Sequence, residues 1–188
     1  MKTYGYALTG SFCTFKKTVE QIRKLSESEV NIIPIMSFNA AGLNTRFGKA
    51  KDFIEEIEKI TGNKVIATIT EAEPIGPKNL LDLLIISPCT GNTLGKLANG
   101  IYDTPVTLAA KAHLRNERPV LIGVSSNDSL AASAENIGKL LNNKLIFFIP
   151  MRQDDSEKKP RSVVCDFSKT QEAALFALNG KQLQPIIF

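Results

Sequence analysis

The residues of this chain best suited to chemistry are small and polar, and they follow directly on apolar runs. Ser87-Pro-Cys-Thr-Gly-Asn-Thr93 succeeds Leu83-Leu-Ile-Ile86 without a break. Hydroxyls, a thiol, an amide side chain and a glycine gathered in one loop can give several hydrogen bonds to a single ligand. Gly10-Ser11 and Ser125-Ser-Asn-Asp128 stand in the same way after Tyr4–Thr9 and Pro119–Val124, and Ser37 stands so after Val30–Met36. Such loops suit an anion or nucleotide-type ligand. Acid–base and nucleophilic groups are scarcer. His113 is the one histidine, so any Ser–His or Cys–His pair depends on it, and its setting among alanines suits a structural or interface role. Cys89 lies between a strand and a helix start that would lower a thiol pKa, so it reads either as a nucleophile or as a semi-buried loop thiol. Asn92 is the other catalytic candidate. The acidic pairs Glu71/Glu73 and Asp154/Asp155 lack histidine companions, and no metal site is expected.

These loops can act together only if the elements before them end on one side. Leu83–Ile86 is apolar throughout, as in a central parallel strand covered on both faces, and Pro88 should stop it for want of an N–H. Thr90, Asn92 and Thr93 can cap the helix that Leu94, Leu97 and Ala98 begin, with Gly91 free for a turn or close approach. Phe15, Val19, Ile22 and Leu25 share one face of a helix from about Thr14, so Ser11 or Thr14 is either its cap or an anion contact. Ser37 is a second phosphate contact or a turn former. A helix over Gly48–Ile60 ends at Gly62, a short strand follows at Val65–Thr70, and Glu71–Pro77 is too rich in Pro and Gly for regular structure. Thr104-Pro105 opens a helix reaching about Asn116, whose Lys111, His113 and Arg115, with Arg118, read as a solvated or subunit-contact face. Pro119–Val124 is a strand, a helix with Leu130, Ala134, Ile137 and Leu141 follows, and Leu145–Ile149 is the last clear strand. Strands alternating with helices predict an α/β fold of three αβα layers, with a doubly wound, mostly parallel, flavodoxin- or Rossmann-like sheet.

Residues 151–161 crowd seven charged side chains and read as a solvated loop or a lid. A helix over Thr170–Leu178 and the apolar end Pro185–Phe188, which should dock on this chain or a partner, complete one domain over 1–188. The 188 residues, 43% hydrophobic and 22% charged, are ordinary for a globular protein. No apolar run approaches the roughly 20 residues of a membrane span, and no signal peptide is evident. Three scattered cysteines argue against a disulfide framework and for a cytoplasmic setting. A net charge of +4 without a dense basic block argues against nucleic-acid binding.

Ser87–Thr93 also resembles the Pro-Ala-Ser-Ala-Asn-Thr loop of the flavoprotein family that includes the flavin-dependent cysteine decarboxylases, and Leu94–Thr107 resembles its continuation. Thr9-Gly-Ser-Phe-Cys13, Glu73-Pro-Ile-Gly-Pro77, Lys111-Ala-His-Leu-Arg-Asn116, Ser126-Asn-Asp128 and Gln153-Asp-Asp155 extend the resemblance over nearly the whole chain, towards the branch formed by the B subunits of dipicolinate synthase. It implies flavin mononucleotide (FMN) at Gly10, Ser11, Phe12, Ser37, Phe38, Ser87, Pro88, Thr90, Gly91, Asn92, Thr93, Ser125 and Asn127.

The resemblance further implies oxidation of dihydrodipicolinate to dipicolinate in the mother cell of a sporulating bacterium. The partner would be the A subunit of dipicolinate synthase, itself able to carry NAD(P), and the chain would also form a homo-oligomer, a trimer or dodecamer. Arg46 or Arg152 is the candidate for binding the diacid. A non-catalytic partner subunit with a vestigial flavin pocket is the alternative. A cysteine decarboxylase is another, weakened because no histidine lies between Glu71 and Leu81 and the chain has no tryptophan.

Overall fold

The computed structural model describes residues 1–188. Its elements are β1 (Lys2–Leu8), α1 (Phe15–Ser26), β2 (Val30–Met36), α2 (Phe38–Gly42), α3 (Ala50–Thr61), α4 (Ile69–Ala72), β3 (Leu83–Cys89), α5 (Gly91–Ala98), α6 (Pro105–Arg115), β4 (Val120–Ser126), α7 (Ala132–Leu141), β5 (Ile146–Phe148), β6 (Met151–Asp155), β7 (Lys159–Cys165) and α8 (Thr170–Leu178). One seven-stranded sheet runs β2-β1-β3-β4-β7-β6, with β5 also on β4. Strands β1 to β5 pair in parallel, and β7 pairs antiparallel with both β4 and β6. This is the expected flavodoxin-like α/β architecture.

The sheet separates two apolar cores, which makes the three layers. On one face Phe15, Ile22 and Leu25 of α1, Phe53 and Ile57 of α3 and the alanines of α8 pack on Tyr4, Tyr6, Leu83 and Ile85. On the other, Leu94 and Leu97 of α5, Val106 and Ala110 of α6 and Leu140 of α7 pack on Leu84, Ile86, Ile122 and Val124. Strand β3 is buried at every position, as its unbroken apolar run predicts.

Several local expectations are corrected. Pro88 does not end β3; the strand reaches Cys89 through a register shift against β4 between Ile86 and Cys89, and a bulge is where a missing N–H is tolerated. Val65–Thr70 is no strand: Ile66 alone bridges Ile35, and the chain turns into α4 because Thr68 and Glu71 form a capping box. The segment 73–75 is a 3₁₀ turn with Pro74 in its first positions, so it too is regular. Leu130 lies outside α7 and is 52% exposed, and Leu141 also faces out, while Ser133 and Leu140 are the buried positions of that helix.

The largest correction concerns 151–161, which is no loop but most of the hairpin β6–β7. Charge hides this strand pair from sequence patterning, because an edge hairpin needs few inward residues: Met151, Val163 and Cys165 are buried, and Arg152, Gln153, Lys159 and Arg161 are exposed. The C-terminal tail does dock, at the base of this hairpin. Met151 N donates to Ile186 O at 2.9 Å, and the Gln182 amide bonds both the N–H and the carbonyl of Phe148, at 2.8 and 2.7 Å. Ile187 and Phe188 nevertheless remain exposed.

His113 is not on a solvated face. It is 2% exposed, and its Nε2 must donate to the Pro119 carbonyl at 2.9 Å, which fixes the tautomer. Burial pushes its pKa down to about 4, against an opposing pull from that hydrogen bond. Unfolded histidine protonates near pH ~6.5. This contribution to stability is therefore complete above that pH and is lost as pH falls towards 4, by roughly 3 kcal/mol in all. Urea unfolding at pH 7 and pH 4.5 should show the loss, and His113→Gln should flatten it. Gly123 in β4 gives a second test. A Cβ there would meet Ser87 Oγ at 2.4 Å and Ser87 Cβ at 2.8 Å, so Gly123→Ala should cost roughly 1–3 kcal/mol in the same assay.

Candidate functional site

The carboxyl ends of β1, β3 and β4 meet at one edge of the sheet, and Thr9 ties the first two together. Its buried Oγ1 donates to the Pro88 carbonyl at 2.7 Å and accepts from the Thr90 N–H at 3.0 Å, while the Thr9 N–H also reaches Pro88 O at 3.2 Å. Ladder pairing of β1 with β3 stops at Ala7–Ile86, so these bonds continue the join by other means. Thr90 then caps α5 by accepting from the Thr93 N–H. The β4 loop is joined in turn through Ser11 Oγ and Ser125 Oγ, 2.8 Å apart.

Above this floor opens a cleft of about 930 Å³, towards the upper end of the ~300–1,000 Å³ usual for small-molecule and cofactor sites. Gly10–Thr14 and Lys17 form one wall, Thr90–Asn92 and Ser125–Asp128 the floor, and Asp154, Lys159 and Ser162–Val164 of the hairpin the opposite wall, with Phe47 at the rim. Close packing sets this shape. A Cβ on Gly91 would lie 2.5 Å from Asp128 Oδ1 and 2.7 Å from Ser133 Oγ, so only glycine lets α5 start beside the β4 loop. Asp128 is held by the hydroxyls of Ser126 and Ser133. Ser162 Oγ donates to Ser126 O at 3.3 Å and Leu130 N to Arg161 O at 3.0 Å, fastening the hairpin to the same loop.

The cleft is rich in neutral donors and modest in charge. Ser11, Thr90 and Ser125 present hydroxyls, while Asn92 and Asn127 are exposed amides. Its cations are Lys17 and Lys159; Lys159 Nζ lies 2.7 Å from Asp154 Oδ2, in a pair exposed enough to be worth only ~0.2–1 kcal/mol. Phe12 offers an apolar surface backed by Phe15 and Phe53, with ring centroids 5.2 Å apart at each step. A planar heteroaromatic ligand with an anionic arm fits this donor set, and the hydroxyls around Ser11 are the natural seat for the anion.

A family model described as Flavoprotein matches residues 2–174. The chain belongs to the Flavoprotein family. It is 44% identical over 186 residues to the dipicolinate synthase B subunit of Bacillus subtilis (strain 168), covering 99% of this chain and 93% of that protein. It superposes on the crystal structure of the dipicolinate synthase B subunit from Bacillus halodurans C with a TM-score of 0.91 and 38% identity, over 100% of this chain and 96% of that one. An FMN-dependent cysteine decarboxylase from thioviridamide biosynthesis shares the fold, at TM-score 0.67 and 21% identity over 95% and 99% of the two chains.

In this member of the Flavoprotein family, Gly10, Ser11, Phe12, Thr90, Gly91, Asn92, Ser125 and Asn127 converge on the cleft. Ser37 and Phe38 do not line it: Ser37 caps α2 by accepting from the Ala40 N–H at 3.3 Å. Ser87, Pro88 and Thr93 lie beneath the floor, buried. Cys89 is fully buried beside them, and burial drives its thiol pKa up, the reverse of what a nucleophile needs. Arg46 stacks over Phe47 at 4.9 Å and Arg152 lies 6.0 Å from the Phe188 ring; neither lines the cleft. The residues missed from sequence are chiefly Lys17, Asp154 and Lys159. Lys17 follows from helical spacing after Thr14, but the other wall required knowing that 151–165 is a hairpin. No helix is long and apolar enough to cross a membrane.

Thr9→Val keeps size and removes the hydroxyl, leaving the Thr90 N–H without its partner. It should cost roughly 1–3 kcal/mol in denaturant unfolding. Hydrogen exchange at the Thr90 amide should accelerate well beyond that of the β3 core amides.

Proposed function

We propose that this chain is the B subunit of a dipicolinate synthase, working with an A subunit to oxidise dihydrodipicolinate to dipicolinate, with FMN held in the cleft at the ends of β1, β3 and β4. The observation that carries this reading is the end-to-end likeness to two dipicolinate synthase B subunits in a chain whose donor-lined cleft has room for a nucleotide. Bound flavin supplies two-electron acceptor chemistry. The chain's own part is to hold and orient: Ser11, Thr90 and Ser125 give hydroxyl bonds, Asn92 and Asn127 give amide bonds, and Phe12 shields one apolar side. The hairpin wall restricts water at the opposite side. The lining holds no histidine, so a proton-transferring imidazole of the decarboxylase kind has no counterpart there. The same reading includes a homo-oligomer, trimeric or dodecameric, a nicotinamide nucleotide on the A subunit, and work in the mother cell during sporulation.

Titration of the purified chain with FMN, followed by flavin fluorescence, tests the cofactor. Saturable binding is expected, weakened about tenfold or more by Ser11→Ala and Asn92→Ala through loss of hydrogen bonds to the ligand. No binding would move the oxidation to the A subunit. Turnover of dihydrodipicolinate by the reconstituted pair, lost when either subunit is omitted, tests the reaction itself.

A further inference from the structure

We propose that Lys159, on the hairpin wall of the cleft, is the residue that receives a carboxylate of the substrate, and that Asp154 occupies its ammonium in the free protein. The inference rests on the reading that the chain acts on a cyclic dicarboxylate, dihydrodipicolinate going to dipicolinate, beside the flavin in this cleft. Four charged side chains line the cleft: Lys17, Asp128, Asp154 and Lys159. Asp128 is committed to the Ser126 and Ser133 hydroxyls and shapes the floor. The arginines stand elsewhere, Arg46 over Phe47 and Arg152 near Phe188. A dianion entering the cleft therefore meets two ammonium groups, Lys17 and Lys159.

Lys159 is placed by the fold and is not a stray surface lysine. It opens β7 opposite Asp155, and the register shifts before the next pair, Gln153 with Val163. Residues 160–162 thus stand opposite the single Asp154, a bulge of the kind that bends an edge strand and re-aims its side chains beside a site. Gln153 Nε2 donates to Pro160 O at 3.0 Å, and Ser162 Oγ donates to Ser126 O at 3.3 Å, so the bulge is fixed on both sides.

The Lys159–Asp154 pair, 2.7 Å long, has side chains 60% and 38% exposed. Solvent weakens a pair in that setting, so an incoming carboxylate exchanges with Asp154 at little cost. The new pair is then covered by the ligand and the cleft walls, where solvent screens it less. Asp154 acts as a stand-in that keeps the ammonium facing the cleft and disfavours ligands carrying no negative charge of their own.

Calorimetric titration of the full chain with dipicolinate, with the monoacid picolinate and with FMN tests this in the wild type, Lys159→Gln and Asp154→Asn. Both side chains are exposed, so neither substitution threatens the fold. Wild type should bind dipicolinate more tightly than picolinate. Lys159→Gln should weaken dipicolinate about tenfold or more and leave FMN within about threefold, while Asp154→Asn should tighten dipicolinate several-fold. An unchanged dipicolinate affinity in Lys159→Gln overturns the proposal, and so does a weakened one in Asp154→Asn. If Lys159→Gln loses FMN instead, the lysine serves the phosphate and the proposal is wrong. A wild type that binds FMN but no dipicolinate sinks this inference and spares the flavin reading; binding of dipicolinate without FMN does the reverse.

Discussion

One buried hydroxyl, that of Thr9, holds the working edge of this molecule together. Pro88 leaves the sheet without a donor where β1 and β3 should run side by side to their ends. Thr9 fills the gap, donating to the Pro88 carbonyl and accepting from the Thr90 amide. Everything the cleft needs from its floor follows from that join. Thr90 is fixed, so α5 starts where it does; α5 starts beside the β4 loop, so position 91 must be glycine; and the β4 loop so placed meets Ser11 across the gap. The loops after β1 and β3 are thus pinned at their first residues, Thr9 and Thr90, and the end of β4 is joined to them through Ser125.

The cleft sits where the sheet changes character. Most of β4 belongs to the parallel sheet, but Ser125 and Ser126 pair antiparallel with β7. That switch turns the hairpin up as a wall over the floor, which a purely parallel sheet would leave open. Parallel strands supply the floor loops, as in open α/β sheets generally, and the antiparallel addition supplies enclosure. The charges follow the same division: neutral donors lie mostly on the floor, and the Asp154–Lys159 pair belongs to the wall.

Much of this was legible in the sequence, and the exceptions have physical reasons. Val30–Met36 and Thr170–Leu178 could be read to the residue, because an apolar strand and a helix with a buried alanine face leave periodic traces. The loops after β1, β3 and β4 were legible because small polar residues follow apolar runs directly. The hairpin was not, since an edge ladder rests on backbone bonds and its charged side chains look like a solvated loop. Ser37 looked like its counterparts but spends its oxygen on a helix cap, which composition cannot distinguish from a ligand contact. The alanines around His113 pointed to a structural role, but its partner is a backbone carbonyl, and such partners leave no mark on the side-chain pattern.

The two ends of the sheet are also closed, and by different devices. On the outer side of β2, Pro34 has no N–H to offer, and the backbone of Ile66 takes up the Pro34 carbonyl and the Met36 amide. At the far end, the Gln182 amide imitates one rung of a ladder on Phe148, and the last residues of the tail lie along Met151. The outer rows of β2 and β6 are therefore interrupted at these positions, which blunts both edges as templates for a neighbouring strand. The ten residues after α8, which look dispensable, in this sense cover part of a sheet edge, and a carrier or tag fused to Phe188 would pull on that cover.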